Sequence, residues 1–443
     1  MANLNVIKDL LKQQAKKNIL TNFLDYKYYN CAFLDYSYLV KNDFEEKKAH
    51  KYLNFLDNKC KVIAEKKYQI KIDSIFKCDI PSISPQIFFF LNSEFYNEVD
   101  NVDYLNSLNY VYKLKSIKEI LAYDHYFKDL EEKNFFNKVV NVLFHNAYKV
   151  LINNDTNKIR EPIQLVNLFY YEEPLHTYSK FIIEISEGTN VSIIFCAHTL
   201  NSNKYIVGLS LDIILKPNSK LYLYQMSNIN DSSLYFINNN IYQEKNSEVN
   251  IFSTAINSAT FFNTMNVYVK GENAITNLYG LWHSVKDQDV NYYTSVKHMA
   301  SYTISNQLFK GIMDGKATGL YKGLILIEKN LKEVEAKQKN QNLLLSKESK
   351  IISLPFLRTY SDKVKCFHGS ATGYIDQEAL FYLCSRGIPK KEACFLLTEA
   401  FANEIINEIK ISSLKEFLAN LISKKLRGEL QNCFKCEDCV SNL

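Results

Sequence analysis

Apolar residues change their spacing along this chain, and the change divides it into three parts. In residues 1–147 they recur at intervals of three and four, as in NVIKDLLKQQAKKNILTNFL and SLNYVYKLKSIKEILAYDHYF. This spacing places the apolar side chains on one face of an amphipathic helix. We therefore predict a mostly helical N-terminal domain over residues 1–147.

Residues 148–365 have a different pattern, made of short β-branched or aromatic segments such as KFIIEISEGTNVSIIFCAHTL. Turns rich in Gly, Asn, Asp and Ser separate these segments, which is typical of many short strands. None of the twelve glycines lies in the first 187 residues, and eight lie between 188 and 323. The pattern fits a sandwich, a barrel or a β-helix solenoid. Within it, KNLKEVEAKQKNQNLLL stays ambiguous between helix and strand.

Helix signals return over residues 366–432, which we predict to be a C-terminal helical domain. Asp376 is placed to cap the first helix, which Arg386–Gly387 would end, and Pro389 suits the start of the next. Ser413 and Glu416 have capping-box spacing for a third helix. We expect most of its apolar residues to form a small core, among them Phe381, Tyr382, Ala393, Leu396, Leu397, Ala400, Phe401, Leu414, Phe417, Leu418, Leu421 and Ile422.

Charge and composition argue against nucleic-acid binding, export and membrane insertion. The net charge of +5 is spread over 443 residues, whereas a nucleic-acid surface needs clustered basic residues. The N-terminus has no signal-peptide core, and the densest apolar run, IFFFL, is too short to span a bilayer. The ten cysteines are irregularly spaced, which favours reduced thiols in a cytoplasmic protein. We attribute the many Asn and Lys residues to an AT-rich coding sequence.

Nucleotide and hydrolase motifs are missing from the sequence. It contains no GxxxxGK[ST], GxGxxG, HExxH or GxSxG pattern, so it shows no means of its own to hydrolyse a nucleotide. The tail at 433–443 carries Cys433, Cys436 and Cys439, whose C-x2-C-x2-C spacing suits a soft metal ion or an iron–sulfur cluster. A fourth ligand is absent there, so an exposed tail without metal is the alternative.

The eight histidines differ in their surroundings. Seven of them occur singly among aromatic and apolar residues, which indicates structural or surface roles. The eighth, His368, follows Cys366 by two residues in a stretch that contains Gly369 and Gly373, just before the first predicted C-terminal helix. Taken alone, such a Cys-x-His pair is either an inert buried pair or part of a metal site.

A long stretch around this pair resembles a known family. Residues 365–405, KCFHGSATGYIDQEALFYLCSRGIPKKEACFLLTEAFANEI, resemble the C-terminal region of the SufB/SufD family of the SUF iron–sulfur cluster assembly system. The family stretch typically has Lys-Cys-Ser-His-Gly-Ala-Thr and then Asp-x-Glu-x-Leu-Phe-Tyr-Leu-x-Ser-Arg-Gly-Ile. The similarity extends upstream through LFKGIMDGKATGLYKGLILI and EAKQKNQNLLLS, and is strong over residues 300–410.

Two features distinguish the two branches of this family. SufB-like chains have Glu after the equivalent histidine and a cysteine in the segment matching EAKQKNQNLLLS. This chain has Gly369 and no cysteine from 197 to 365, while Cys196 lies in a segment typical of a buried strand. The chain therefore resembles the SufD branch, although Ser370–Ala371–Thr372 departs from the usual Ala-Thr-Val.

The resemblance implies a mainly β fold, with a right-handed parallel β-helix over 148–365 between helical domains. It implies a non-catalytic scaffold that pairs with a SufB-like paralogue through the β-helix and binds a SufC-like ATPase through the C-terminal helices. A homodimer in isolation stays open. No cofactor would be bound permanently; iron or a transient iron–sulfur cluster would be shared with SufB.

For individual residues, the resemblance makes His368 a ligand of the nascent cluster at the SufB interface and Cys366 an auxiliary thiol. Gly369 and Gly373 would belong to an interface loop, and Arg386 would contact SufC, since Arg is enriched at interfaces. Two other functions stay open. One is a SufB-type subunit that binds a cluster itself, and the other is a β-helix carbohydrate-active enzyme, which needs paired carboxylates in a cleft.

Overall fold

A computed structural model describes residues 61–62, 86–96, 111–114, 119–120, 122–126, 140, 144–153 and 162–429. Strands dominate it, in the chain order Lys61–Val62 (β1), Gln86–Leu91 (β2), Glu94–Tyr96 (β3), Val111–Lys113 (β4), Asn146–Ile152 (β5), Ile163–Phe169 (β6), Leu175–Ile185 (β7), Asn190–Thr199 (β8), Tyr205–Leu215 (β9), Lys220–Asn228 (β10), Leu234–Gln243 (β11), Glu248–Asn257 (β12), Thr260–Val269 (β13), Ile275–Ser284 (β14), Asp289–His298 (β15), Ile304–Met313 (β16), Thr318–Ile327 (β17), Lys332–Leu344 (β18), Lys350–Thr359 (β19) and Lys363–Gly373 (β20). A 3-10 turn covers Asp124–Tyr126, and three helices follow the strands: Gln377–Ser385 (α1), Lys390–Ile406 (α2) and Ser412–Leu426 (α3).

The strands alternate between two ten-stranded sheets. From β5 onward, odd-numbered strands form sheet A and even-numbered strands form sheet B, and each pairs in parallel with the strand two places later in the chain. Only β2–β3 and β4–β5 are antiparallel among the described pairs. The result is a β-solenoid of about seven turns. It confirms the mainly β prediction and decides among the three architectures that the pattern allowed.

The interior of the solenoid holds the largest hydrophobic cluster, because alternate side chains of both sheets point inward. Aromatic rings stack along its axis: Tyr292 lies 4.8 Å from Trp282 and 5.6 Å from Phe309 between ring centroids, and Phe309 lies 5.0 Å from Tyr321. All four side chains are fully buried. These contacts between successive turns account for the many aromatic residues in the strand region.

Asparagines align between turns and have a structural role. Asn218, Asn246 and Asn273 all adopt positive φ at corresponding corners, a conformation that Asn tolerates better than most residues. Their side chains bond in series, with Nδ2 of Asn246 donating to Asn218 Oδ1 at 2.8 Å and Nδ2 of Asn273 donating to Asn246 Oδ1 at 3.1 Å. These three asparagines therefore stabilise the corners of successive turns.

Helices α2 and α3 pack on the outer face of sheet B. The cluster that joins them contains Tyr224, Phe252, Leu281, Ile312, Ala402, Ile405, Ile406, Leu414, Leu418 and Ile422. Two buried lysines cross the same boundary. Lys310 Nζ contacts the Phe401 carbonyl and Glu404, while Lys425 Nζ donates to the carbonyls of Ile256 and His283. Burial lowers the pKa of Lys310, and it lowers that of Lys425 to about 7.

The ends of the helices agree with most of the sequence signals. The Asp376 carboxylate caps α1 by accepting from the backbone N–H groups of Glu378 and Ala379, and Gly387 follows its end with φ +89°. Pro389 directly precedes α2. The capping box at Ser413 was wrong, because α3 begins at Ser412 after an Ile411 that makes no side-chain cap.

Three sequence-based assignments of segments differ from the structure. Val111–Lys113, inside a segment predicted as helix, forms β4 because it pairs with β5, and most of residues 1–147 lie outside the described part. The ambiguous segment KNLKEVEAKQKNQNLLL forms strand β18. The strands continue to Gly373, so the predicted boundary at 365/366 falls inside β20.

Candidate functional site

The solenoid ends at β19 in sheet A and β20 in sheet B. Each is the last strand in its sheet's order, and within the described residues neither has a partner on its outer side. An edge strand presents unpaired backbone N–H and C=O groups, which can pair with another chain. In β19 one N–H is missing because of Pro355, whereas β20 contains no proline.

Cys366 and His368 lie on β20 together with Gly369 and Gly373, so the predicted interface loop is a strand. The segment is held as a strand by continuous parallel pairing with β18, in which Ala336 opposes Cys366 and Gln338 opposes His368. Alternation along this strand determines which way the side chains point. Cys366 packs against the interior cluster, and Ser370 Oγ donates across the interior to Ser353 Oγ at 2.7 Å. His368 lies between them in the alternation and therefore also faces the interior, at its open end.

The two side chains have different environments. Cys366 is half-buried beside the cluster of Ile325, Ile327, Val334 and Ala336, and burial raises the pKa of its thiol. His368 is exposed, because the strand that would cover it from above is absent from the described chain. A soft thiol and an imidazole, two residues apart on one face, thus lie at the mouth of the interior.

Exposed apolar side chains lie on the outer faces of the last two strands. Ile352, Leu354 and Phe356 project from β19 and Phe367 from β20, and each is at least 39% exposed. We call these four residues the terminal strip. Gly369 lies on the same face of β20 as Phe367, whose ring would be 3.3 Å from a Cβ added at Gly369. Gly373 ends β20 with open space around it, so both predicted interface glycines lie on the edge strand.

A second exposed apolar surface lies on α1. The prediction that Phe381, Tyr382 and Leu396 belong to the core of the helical domain was therefore wrong. Phe381 is 75% exposed and Tyr382 56%, and Leu396 on α2 is also exposed. The Arg386 guanidinium lies 5.4 Å from the centre of the Tyr382 ring. Only Leu380 of α1 is buried, because this short helix contacts α2 and not the sheet. We call Phe381, Tyr382, Arg386 and Leu396 the helix patch.

The match to a family model covers more than half of the chain. The model for the core domain of SufB and SufD proteins, of SUF system FeS cluster assembly, matches residues 170–401. This chain belongs to the SufBD family.

Individual relatives agree with the SufBD assignment. The chain is 27% identical over 257 residues to the iron–sulfur cluster assembly protein SufD of Escherichia coli, covering 58% of this chain and 61% of that protein. It is 30% identical over 165 residues to SufD of Bacillus subtilis, covering 37% of each. The chain thus spans about three fifths or less of the length of these relatives.

The remaining histidines of this SufBD-family chain are structural where they are described. His145, His176, His198, His283 and His298 are buried, and burial lowers the pKa of each. The imidazole of His298, for example, bonds Thr303 Oγ1 at 2.7 Å and Ser305 Oγ at 2.8 Å. His125 is exposed, and His50 lies outside the described residues.

Among the described residues, no three or more His, Cys, Asp or Glu side chains are grouped as a metal site would require. Cys433, Cys436 and Cys439 lie outside those residues, and Cys196 is buried in β8 as predicted. Several carboxylates of the solenoid are paired with lysines, among them Glu184, Asp212, Glu244 and Glu248. In the part of the chain that is described, no helix has both the length and the apolar character to cross a membrane.

Sequence reasoning missed one residue at the site, Gln338. Its side chain is fully buried and faces the interior directly beneath His368. The signal was the alternation of Val334, Ala336, Gln338 and Asn340 with exposed residues in β18. A helix-like charge pattern in the same segment concealed it.

Proposed function

We propose that this chain is a SufD-type, non-catalytic subunit of a cytoplasmic SUF complex. It pairs with a SufB-like paralogue through the open end of the solenoid and binds a SufC-like ATPase through the C-terminal helices. Cys366 and His368 contribute to the site where iron and sulfide are assembled. The observation that carries this proposal is the placement of both side chains at the open, unpaired end of the solenoid.

The open end is suited to a paralogue with the same architecture. Edge strands pair with edge strands of another chain through backbone hydrogen bonds, and β20 offers such an edge without proline. The terminal strip adds exposed apolar area beside it, which a monomeric surface seldom retains without a partner. Docking there would cover His368 and close the interior above it.

The chemistry of the pair is suited to iron as cargo. Thiolate and imidazole both bind iron, and clusters take such ligands in sets of four. Cys366 and His368 supply two donors, and the paralogue supplies the others across the interface. Because burial raises the pKa of Cys366, its thiol stays protonated at neutral pH until a metal displaces the proton.

The helix patch is the proposed ATPase surface. It combines exposed aromatic rings with an arginine, the residue types enriched at interfaces. The neighbouring helices are held to sheet B by a shared apolar cluster and by Lys310 and Lys425. A movement of the helices on ATP binding would therefore be transmitted to the solenoid and to its open end.

The first test is His368→Ala in a complex co-expressed anaerobically with SufB-like and SufC-like partners. We expect a complex of unchanged mass that loses most of its visible cluster absorbance, because one ligand is removed. His125→Ala is the matched control, since His125 is exposed and distant in sequence from the site, and it should retain the absorbance. Equal absorbance in all three samples would refute the role of His368. Failure of the wild type to form a complex would refute the SufD-type assignment.

A second prediction tests the helix patch and the terminal strip independently. Phe381→Ala should weaken ATPase binding at least tenfold, since exposed aromatic anchors commonly contribute 2 kcal/mol or more, about thirtyfold, to an interface. Phe367→Ala, the same substitution on the terminal strip, should weaken binding of the SufB-like partner and leave the ATPase bound. Affinity measurements of each variant against each partner give four values. If Phe381→Ala leaves ATPase affinity unchanged, the helix patch is not the docking surface.

A further inference from the structure

A column of amides runs inside the solenoid and ends at His368. Gln307 on β16 opposes Gln338 on β18, and Gln338 opposes His368 on β20, so the three occupy one interior row of sheet B on successive turns. Gln307 Oε1 accepts a hydrogen bond from Thr294 Oγ1 at 2.7 Å. Gln338, the middle member, is fully buried.

The amide of Gln338 is incompletely paired within the described residues. Neither polar atom has a partner of normal hydrogen-bond geometry there, although a hydrogen bond from Gln338 to the Tyr321 phenol partly offsets the increase in the phenol's pKa that burial causes. The Oε1 acceptor has no donor among the described residues, and an unpaired buried acceptor costs about 1–3 kcal/mol. A donor that reaches Oε1 would therefore stabilise the amide.

Space around the amide is provided by Gly323 on the opposite sheet. A Cβ added at Gly323 would lie 2.0 Å from Gln338 Nε2 and 2.7 Å from the Tyr321 hydroxyl. Any side chain at this position would displace the amide, so the glycine leaves room for it. The only imidazole in register with Gln338 is that of His368, one strand above it on the same interior face.

We propose that Gln338 is a positioning residue for His368. Its Oε1 accepts a hydrogen bond from one ring N–H of His368 when the other ring nitrogen binds iron. The hydrogen bond fixes the tautomer and the orientation of the imidazole, as partners of metal-binding histidines generally do. This inference rests on the proposed function, because it needs His368 to be an iron ligand.

The test uses the co-expressed complex, stripped of iron and titrated anaerobically with ferrous iron alone against a chromophoric chelator. Gln338→Leu should weaken the His368-dependent binding about 10- to 100-fold, the range found when such partners are removed. Gln338→Glu keeps the acceptor and should bind iron at least as tightly as the wild type. Gln307→Leu is the matched control one turn below, and its affinity should equal that of the wild type.

A purely structural role predicts the opposite order. Leucine is tolerated in a buried position and a carboxylate is not, so Gln338→Glu would then be the more damaging variant. Gly323→Ala is a second route that displaces the amide without changing it, should Gln338→Leu fail to fold. It too should weaken iron binding, with the unfolding temperature measured on the same samples.

The outcomes separate this inference from the function on which it rests. If His368→Ala removes the binding but Gln338→Leu retains wild-type affinity, the positioning role is overturned and the proposed function stands. The positioning role is also overturned if Gln307→Leu loses as much affinity as Gln338→Leu. If His368→Ala binds iron like the wild type, both are overturned.

Discussion

Lowering the pH from 7 to 5 is expected to destabilise this protein by about 5–10 kcal/mol, because five buried histidines stay unprotonated in the folded chain while each binds a proton in the unfolded chain. Burial lowers the pKa of His145, His198 and His298 to about 4 and that of His176 to about 3, and it lowers the pKa of His283 well below its usual value. In the unfolded chain each would titrate near pH 6.5, which is the ordinary value.

The direction of this pH effect follows from the number of protons that the folded and unfolded states bind. At pH 5 an unfolded histidine is protonated and these folded ones are not, so the unfolded state binds more protons. Each histidine thus contributes stability that is complete above about pH 6.5 and is lost as the pH falls toward its folded pKa. The loss at pH 5 is about 2 kcal/mol for each of the four whose folded pKa is about 3 or 4, and the total rivals the whole stability of many domains.

Urea unfolding at pH 7, 6 and 5 measures this loss directly. His283→Phe removes one titrating group, so the slope of the free energy of unfolding against pH should decrease by up to about 1.4 kcal/mol per pH unit. His125→Phe, at an exposed histidine, is the matched control for the substitution itself. A free energy of unfolding that stays constant between pH 7 and 5 would contradict the prediction.

Replacing Ile352 with aspartate is expected to weaken binding of the SufB-like partner about 100-fold or more, while the chain itself stays folded. Ile352 is 44% exposed on the outer face of β19, beside Leu354. A charge there would be desolvated when the partner covers the terminal strip, at a cost of several kcal/mol. In the free chain the aspartate remains in water, so the unfolding temperature should change little.

Ile87→Asp provides the matched control. Ile87 lies on β2, at the opposite end of sheet B from β20, and is 40% exposed. The two variants therefore differ in position and hardly in chemistry or exposure. Titration of each against the SufB-like partner should show a large loss only for Ile352→Asp. Equal losses, or none, would mean that the partner does not dock at the open end.

Most predictions from local spacing in the C-terminal region agreed with the structure, with the Ser413 capping box as the exception. The Asp376 cap, the Gly387 helix end and the buried stripe of Leu414, Leu418 and Ile422 all depend on residues close together in sequence. Family resemblance added the proposed site, since Cys366 and His368 were chosen from a long match. The SufBD family model, which matches residues 170–401, supports the family, and the roles of the two residues stay a prediction.

Pairing between strands that are distant in sequence determined the features that local spacing did not predict. Segment 332–344 carries a charge pattern that also fits a helix, and it is a strand because β16 and β20 pair with it on either side. The same pairing placed Cys366 and His368 on an edge strand and not in a loop. Phe381 and Tyr382 look like core residues in sequence, yet they are exposed because α1 lies away from the sheet.

By itself the sequence determined that this chain has a strand-rich centre followed by helices, because residues close together in the chain produce those patterns. It also determined the family motif, because the similarity extends over a long stretch. The family resemblance implied a parallel β-helix, and the structure confirms a β-solenoid. Only the tertiary structure decided that its last turn is open in the described chain and that Gln338 lies beneath His368. Those facts depend on the register between strands about thirty residues apart, and no local pattern of side chains specifies that register.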